Sequence, residues 1–381
     1  MSLNATDRHG GLPTPEPRWP IGLVPNVKHQ PANSVFDFAD YTLSIVEFDD
    51  QGRCYDRNQM QALARKLAEL SASDAVILVF VHGWKHDGRS DDDNLTRFLE
   101  VVERIAREEK ATRTPAPVLA IFVAWRGLSL YGFGIENLTF WGRKQAGLLV
   151  AMGAPRELFG GVRRFREARL QAGGAPLVVM VGHSFGGMIV YAALAQSLIE
   201  AAAMDSNIVV PSIADLVLLV NPAFEAARYL PIHDLVKERG EGGFARNQRP
   251  VFASVTAHND WATGIAFPVG MAIARLQENT RGPEERQALI STMGHLAWMR
   301  THELSLRGSS EAGGEFGSAQ LRRIRFSEHN PFGVVGATPD VINGHNGIWQ
   351  QPFIDFAQSL VLSHVRDAAA RRTQKSRREQ G

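Results

Sequence analysis

The chain has one cysteine, Cys54, and almost no net charge. A single cysteine forms neither an internal disulfide nor a cysteine metal cluster, which fits a reducing compartment or a protein that is indifferent to redox state. The 41 Lys and Arg residues against 40 Asp and Glu leave a formal charge of +1 over 381 residues. Because nucleic-acid-binding proteins carry a broad positive field, we expect no nucleic-acid partner.

The chain also lacks a basic start followed by an apolar run, the mark of a secretory signal. Its apolar runs, such as residues 75–81, are far shorter than the ~18 residues that span a bilayer. We therefore expect a soluble, cytoplasmic protein.

Hydrophobic residues make up 44% of the chain and charged residues 21%, which is typical of a globular protein. The length allows two or three small domains or one large domain with insertions, and we expect one large α/β domain.

Residues 1–34 form a proline-rich stretch, in which proline removes backbone donors and favours an extended arm over a folded domain. Residues 35–365 alternate between helical patterns and short apolar strands. The predicted strands are 41–48, 75–81, 118–125, 176–182, 214–220 and 251–257. Strands that are apolar throughout are buried on both faces, so we predict an α/β fold, a mostly parallel sheet with helices on either side.

Two further segments stand apart in composition. Residues 127–170 are rich in Phe, Trp, Leu and Gly and are too long for a simple connection. They are interpreted either as a cap-like insertion that covers an acyl pocket or as a helix packed in the core. Residues 366–381 carry six basic side chains and are expected to form a frayed, solvated tail. A peripheral contact with anionic lipid is the alternative for this tail.

The motif Gly182-His183-Ser184-Phe185-Gly186-Gly187 follows the apolar strand 176–182 and precedes a helical run. In a G-x-S-x-G elbow the serine occupies a strained strand-to-helix turn, and the flanking glycines, here Gly182 and Gly186, let the backbone approach closely. This context predicts that Ser184 is a nucleophile at the carboxyl edge of the sheet.

A serine nucleophile needs a base, a group that orients the base, and donors for the oxyanion. His82-Gly83-Trp84 follows the strand 75–81, and a turn there can direct an amide into the same crevice. We predict an oxyanion hole made by the backbone N–H groups of Trp84 and Phe185. His82 itself is predicted to be a structural residue that holds this turn by hydrogen bonds.

With the HGW and GHSFGG motifs, the sequence resembles the α/β-hydrolase superfamily, and in particular bacterial serine esterases and lipases. The resemblance runs from about residue 41 to 362 and implies an α/β-hydrolase fold. The family order is nucleophile, acid, histidine. The acid follows the second strand beyond the nucleophile strand, and the histidine lies in a loop before the last helix.

This order assigns the acid to Asp260, directly after the strand 251–257. Glu225, which follows the strand 214–220, and Asp340 are the alternatives.

For the base, the same order selects His345, in a glycine-flanked loop before the last helical pattern, with His329 as the alternative. Asp260 and His345 are 85 residues apart, which implies a second insertion at about 270–320.

Together these residues imply a serine hydrolase that cleaves a small-molecule or lipid ester with a lipophilic or medium-chain acyl group. A thioesterase, amidase or acyltransferase with the same triad is one alternative, and a non-catalytic binding protein of this fold is another. We expect no metal or organic cofactor, because the sequence has no H-E-x-x-H, no cysteine cluster and no G-x-G-x-x-G after its first strand.

Overall fold

The computed structural model describes residues 34–83, 86, 88, 92–125, 145–205, 208–210, 213–240, 243–266, 280–308, 316–326 and 329–380. The proline-rich arm predicted for residues 1–34 lies outside these ranges except for Ser34. The chain divides into two compact units, residues 1–181 with 361–381 and residues 182–360. Each is described in turn.

The first unit is built on parallel strands. Its elements are β1 (Val35–Asp37), β2 (Thr42–Phe48), α1 (Arg57–Glu69), β3 (Val76–Val81), α2 (Asp93–Lys110), β4 (Val118–Trp125), α3 (Pro155–Gln171) and most of β5 (Leu177–His183). The strand order is β1-β2-β4-β3-β5. β2, β4 and β3 pair in parallel, and β1 pairs with β2 antiparallel. Every side chain of β3 and β4 is buried, as predicted from their continuous apolar sequence.

Both α1 and α2 begin at a capping aspartate. Asp56 accepts a hydrogen bond from the backbone N–H of Asn58, and Asp92 accepts from Asn94 and Leu95. These bonds satisfy N–H groups that have no acceptor inside the helix. The helices therefore start where the local sequence changes from turn to apolar periodicity.

Part of the segment predicted as a cap is described. Residues 145–152 are helical, and α3 buries Leu158, Phe159, Val162 and Phe165 on one face. For α3, the structure corresponds to the packed-helix interpretation. Residues 126–144 lie outside the described residues.

The second unit carries the other strands. Its elements are α4 (Phe185–Ala202), β6 (Leu216–Val220), α5 (Leu230–Arg239), β7 (Phe252–Ala257), α6 (Pro283–Ile290), β8 (His302–Leu306), β9 (Ala319–Arg323), β10 (Phe332–Ala337) and the start of α7 (Gln351–Gln380). The order is β6-β7-β10-β8-β9, parallel except for β9. The predicted α/β class with mostly parallel strands is confirmed.

The region predicted as a second insertion, 270–320, contains α6 and β8 and the first residues of β9. β8 pairs with β10, and β9 extends the sheet beyond β8. Residues 267–279 and 309–315 are outside the described residues. β10, rather than the inserted strands, leads directly into the loop that carries His345.

Of the described helices, α4 alone is long and apolar enough to cross a membrane, and most of its length is buried inside the protein. Packing on the sheet therefore accounts for its composition.

The expectation of a frayed basic tail is wrong. α7 continues as one helix to Gln380, and Arg372 is only 8% exposed. Its guanidinium donates to the carbonyl oxygens of Thr114 at 3.0 Å and Ala175 at 3.3 Å, and it pairs with the carboxylate of Glu109. A basic composition favours a solvated end, but a guanidinium that is hydrogen-bonded and paired with a carboxylate can be buried.

Candidate active site

Ser184 stands between β5 and α4 in a strained backbone conformation, with φ 54° and ψ −119°. Residues other than glycine rarely adopt positive φ, because this conformation costs about 1–3 kcal/mol and persists only where the surrounding structure holds it. The N–H of Ser184 donates to the carbonyl oxygen of Val220 at 3.0 Å, and its own carbonyl oxygen accepts from Met188 and Ala223. These backbone bonds fix the turn that presents the hydroxyl.

The glycines around Ser184 are required by close contacts. A Cβ atom at Gly182 would lie 2.7 Å from the carbonyl oxygen of Gly186 and from the Cα of Gly187. A Cβ at Gly187 would lie 3.1 Å from the Cβ of Pro222. The strand and the helix therefore approach each other more closely than a side chain would permit.

Ser184, His345 and Asp260 form a continuous hydrogen-bonded chain. The distance from Ser184 Oγ to His345 Nε2 is 2.8 Å, and that from His345 Nδ1 to Asp260 Oδ2 is also 2.8 Å. Asp260 is 1% exposed and Ser184 3%, whereas the imidazole of His345 is partly exposed. Among the alternatives, Glu225 accepts instead from Arg228, at 3.0 Å. The structure thus brings together the three residues predicted for nucleophile, base and acid.

Asp260 is held as a carboxylate. Burial alone would raise the pKa of its carboxyl, but hydrogen bonds from His345 and Thr263 outweigh burial and lower that pKa below its usual value. Oδ1 accepts the backbone N–H groups of Ala262 at 3.0 Å and Thr263 at 3.2 Å. Oδ2 accepts from His345 and from the hydroxyl of Thr263, at 2.6 Å. An ionised acid can stabilise a positive charge on His345.

The loop that carries His345 is fixed through its backbone. The carbonyl oxygen of His345 accepts from His183 Nε2 at 3.0 Å and from Asn221 Nδ2 at 2.9 Å. The N–H of Gly344 donates to Asn259 Oδ1 at 2.9 Å. Gly344 has φ 70°, a value that glycine adopts without strain. Two sets of hydrogen bonds therefore fix His345. Asp260 orients the imidazole ring, and the bonds to the backbone carbonyl oxygen hold the loop that carries it.

Sequence reasoning assigned no role to His183, Asn221, Asn259, Thr263 or His295. Asn221 carries a usable signal, because it is a polar residue directly after β6, at the sheet edge where β7 and β10 also end. Asp260 is itself a signal for a side-chain-capped turn, but this signal does not indicate the Thr263 hydroxyl. His183, Asn259 and His295 reach partners distant in sequence, and no local pattern predicts such contacts.

Of the two predicted oxyanion donors, Phe185 is the first residue of α4. The N–H groups of a first helical turn point towards the helix N-terminus, where the helix dipole favours negative charge. Trp84 lies outside the described residues.

His82 has the structural role predicted for it. Its Nε2 accepts the backbone N–H of Trp125 at 3.1 Å, so the ring proton is on Nδ1, which donates to the carbonyl oxygen of Gly83 at 2.7 Å. Within the described ranges, no group of three His, Cys, Asp or Glu side chains is placed to hold a metal ion.

The sequence model of the Alpha/beta hydrolase family matches residues 78–323. Among solved structures, phospholipase PlaB from Legionella pneumophila in complex with thio-NAD aligns with 79% of this chain and 61% of that chain, at 12% identity and a TM-score of 0.34. A second structure of phospholipase PlaB from Legionella pneumophila aligns with 79% of this chain and 63% of that one, at 13% identity and a TM-score of 0.32.

This chain therefore spans about three fifths of the length of these structures. No curated protein matches the sequence. The family match covers well over half of the chain and agrees with the resemblance inferred from the HGW and GHSFGG motifs. The chain belongs to the Alpha/beta hydrolase family.

Proposed function

We propose that the protein is a serine hydrolase that cleaves carboxylic esters, with Ser184 as nucleophile, His345 as base and Asp260 as acid. The observation that carries this proposal is the chain of two 2.8 Å hydrogen bonds from Ser184 through His345 to Asp260. The strained backbone of Ser184 supports it further, because strain at a strand-to-helix turn is typical of a nucleophile elbow.

In the proposed reaction, His345 Nε2 takes the proton of Ser184 Oγ as the oxygen attacks the ester carbonyl. Asp260 holds His345 Nδ1–H and stabilises the imidazolium that forms. The backbone N–H of Phe185 donates to the tetrahedral oxyanion, and Trp84 remains a sequence-based prediction for the second donor. His345 then protonates the leaving alkoxide. Water attacks the acyl-enzyme by the same path and restores Ser184.

The test is labelling by a fluorophosphonate together with hydrolysis of p-nitrophenyl esters. Ser184→Ala should abolish both and leave the fold intact. His345→Ala and Asp260→Asn should lower kcat by roughly 10³–10⁴-fold. Glu225→Gln is the matched control for the acid, because Glu225 is also a buried carboxylate but pairs with Arg228. Labelling that persists in Ser184→Ala, or an unreactive wild-type protein, would contradict the proposal.

For the substrate, we propose an ester with a lipophilic or medium-chain acyl group. The support is the aromatic and leucine content of residues 126–144, which are outside the described ranges. If their side chains wall the acyl site, binding should strengthen by up to about 0.8 kcal/mol per methylene until the site is full. Replacing Phe140 and Trp141 by alanine should then weaken hydrolysis of long esters more than of acetate. An unchanged chain-length preference in this variant would contradict the proposal.

A further inference from the structure

The carboxylate of Asp260 carries a second hydrogen-bonded branch, which leads away from His345. The hydroxyl of Thr263 lies 2.6 Å from Asp260 Oδ2 and 3.0 Å from Nε2 of His295. Thr263 is fully buried, and the ring of His295 packs on the same turn, since a Cβ at Gly264 would lie 3.0 Å from its Cε1. The sequence of contacts is His295, Thr263, Asp260, His345, Ser184.

The number of available protons determines which group donates in each hydrogen bond of this branch. An ionised Asp260 only accepts, so the single proton of the Thr263 hydroxyl points at Oδ2. His295 Nε2 must then carry a proton and donate to the Thr263 oxygen. Burial lowers the pKa of His295, and the nearby His258 and Arg300 lower it further against the opposing charge of Asp260. The ring is therefore neutral near pH 7, with its proton on Nε2.

We propose that Thr263 and His295 are positioning residues for the proposed hydrolysis, which hold the Asp260 carboxylate so that Oδ2 faces Nδ1 of His345. This inference rests on the proposed function. The two Oδ2 lone pairs are used by Thr263 and His345, and Oδ1 is used by two backbone N–H groups. With its four acceptor positions occupied, the carboxylate has one orientation.

A positioning role and a turn-stabilising role affect different kinetic quantities. Positive charge develops on His345 only as the tetrahedral intermediate forms, so the orientation of Oδ2 matters most in the transition state of that step. A loss of this aim lowers kcat and leaves KM nearly unchanged. A threonine that only capped its own turn would not need His295, which is 32 residues away on a separate element.

The experiment compares isosteric pairs by kcat, KM, the rate of fluorophosphonate labelling and melting temperature. Thr263→Val removes the hydroxyl and keeps the shape, and Thr263→Ser keeps the hydroxyl. Thr256→Val is the matched control, because the buried hydroxyl of Thr256 in β7 makes no hydrogen bond in the described part of the chain. We expect Thr263→Val to lower kcat and labelling about 10- to 100-fold with KM unchanged, and Thr263→Ser and Thr256→Val to stay near wild type.

A second pair tests the outer residue. His295→Leu removes the donor to Thr263, and His295→Gln can supply an amide N–H in its place. We expect a lower kcat in His295→Leu and its recovery in His295→Gln. If Thr263→Val does not fold, this pair decides the question.

Labelling of Thr263→Val at the wild-type rate would overturn the inference and leave the proposed function intact. Equal losses of kcat in Thr263→Val and Thr256→Val would overturn it as well, since they indicate a structural effect only. An unreactive wild-type protein would overturn both the inference and the proposed function.

Discussion

Asn221 donates a hydrogen bond from Nδ2 to the backbone carbonyl oxygen of His345, at 2.9 Å. The same side chain accepts at Oδ1 from the N–H of Ala257, at 2.9 Å, at the end of β7. Asn221 has φ 45°, a region that Asn tolerates better than other side chains do. One buried amide therefore joins the end of the strand before Asp260 to the loop that carries His345.

Asn221→Ala should consequently misplace the base as well as destabilise the protein. We expect kcat to fall about 10- to 100-fold, because small displacements of a catalytic group have effects of this size. Asn330→Ala is the matched control, since Asn330 is also buried and bonds the backbone of Phe332 from both atoms of its amide, but lies before β10. The control should lose stability and keep kcat. Equal losses of kcat in the two variants would show that Asn221 does not position His345.

Gly182→Ala should destabilise the elbow itself. The new Cβ would lie 2.7 Å from backbone atoms of Gly186 and Gly187, which cannot move without displacing Ser184. We expect the free energy of unfolding to fall by about 1–3 kcal/mol, measured by urea denaturation, together with loss of activity.

Gly333→Ala in β10 is the control for the elbow variant. Its Cβ would meet its nearest neighbour, the carbonyl oxygen of Phe252, at 3.6 Å, an ordinary contact. A Gly182→Ala protein as stable and active as Gly333→Ala would contradict the close approach.

The six strands β2 to β7 could be predicted because their signals are local, whereas β1, β8, β9 and β10 are not among the predicted strands. β4 has the predicted bounds, 118–125, since an all-apolar run ends in turn residues on both sides. The elbow at Ser184 is local too, within six residues. Asp260 and His345 needed the chain order of a known family, because nothing in their own sequence shows that they meet across 85 residues.

The contacts that could not be predicted join distant residues. Asn221 and His345 are 124 residues apart, and Glu109 and Arg372 are 263 apart. The basic composition of a helix end predicts exposure to solvent. Only the packed fold places a buried carboxylate beside it.

The Arg372 contact predicts that the last turns of α7 contribute to stability. Burial raises the pKa of the Glu109 carboxyl, and the charge of Arg372 opposes that rise. Arg372→Met would leave this carboxylate buried without its cation, at a cost of about 3–5 kcal/mol in unfolding free energy. Arg371→Met is the matched control, since Arg371 is the exposed neighbour.

Replacing both partners, Arg372→Met with Glu109→Leu, should restore much of the loss, because no charge then stays buried. The measurement is chemical denaturation of the four proteins at pH 7. Equal stability of the Arg371 and Arg372 variants would mean that the helix end contributes little.

His302 in β8 predicts a fall in stability below neutral pH. It lies opposite Arg323 of β9, and burial, helped by the charge of Arg323, lowers its pKa to about 4. In the unfolded chain the histidine pKa is close to 6.5. Between these two values the unfolded state binds the proton and the folded state does not, so stability decreases as the pH falls from 6.5 towards 4.

The full effect of His302 on the free energy of unfolding is up to about 3 kcal/mol. His302→Gln removes the titrating group, so the difference in stability between wild type and variant should change over this pH range and be constant above pH 7. Urea denaturation at half-unit intervals from pH 4 to pH 8 measures it. The difference cancels the other groups that titrate in both proteins, including Asp260. A difference that is the same at every pH would show that His302 titrates normally in the fold.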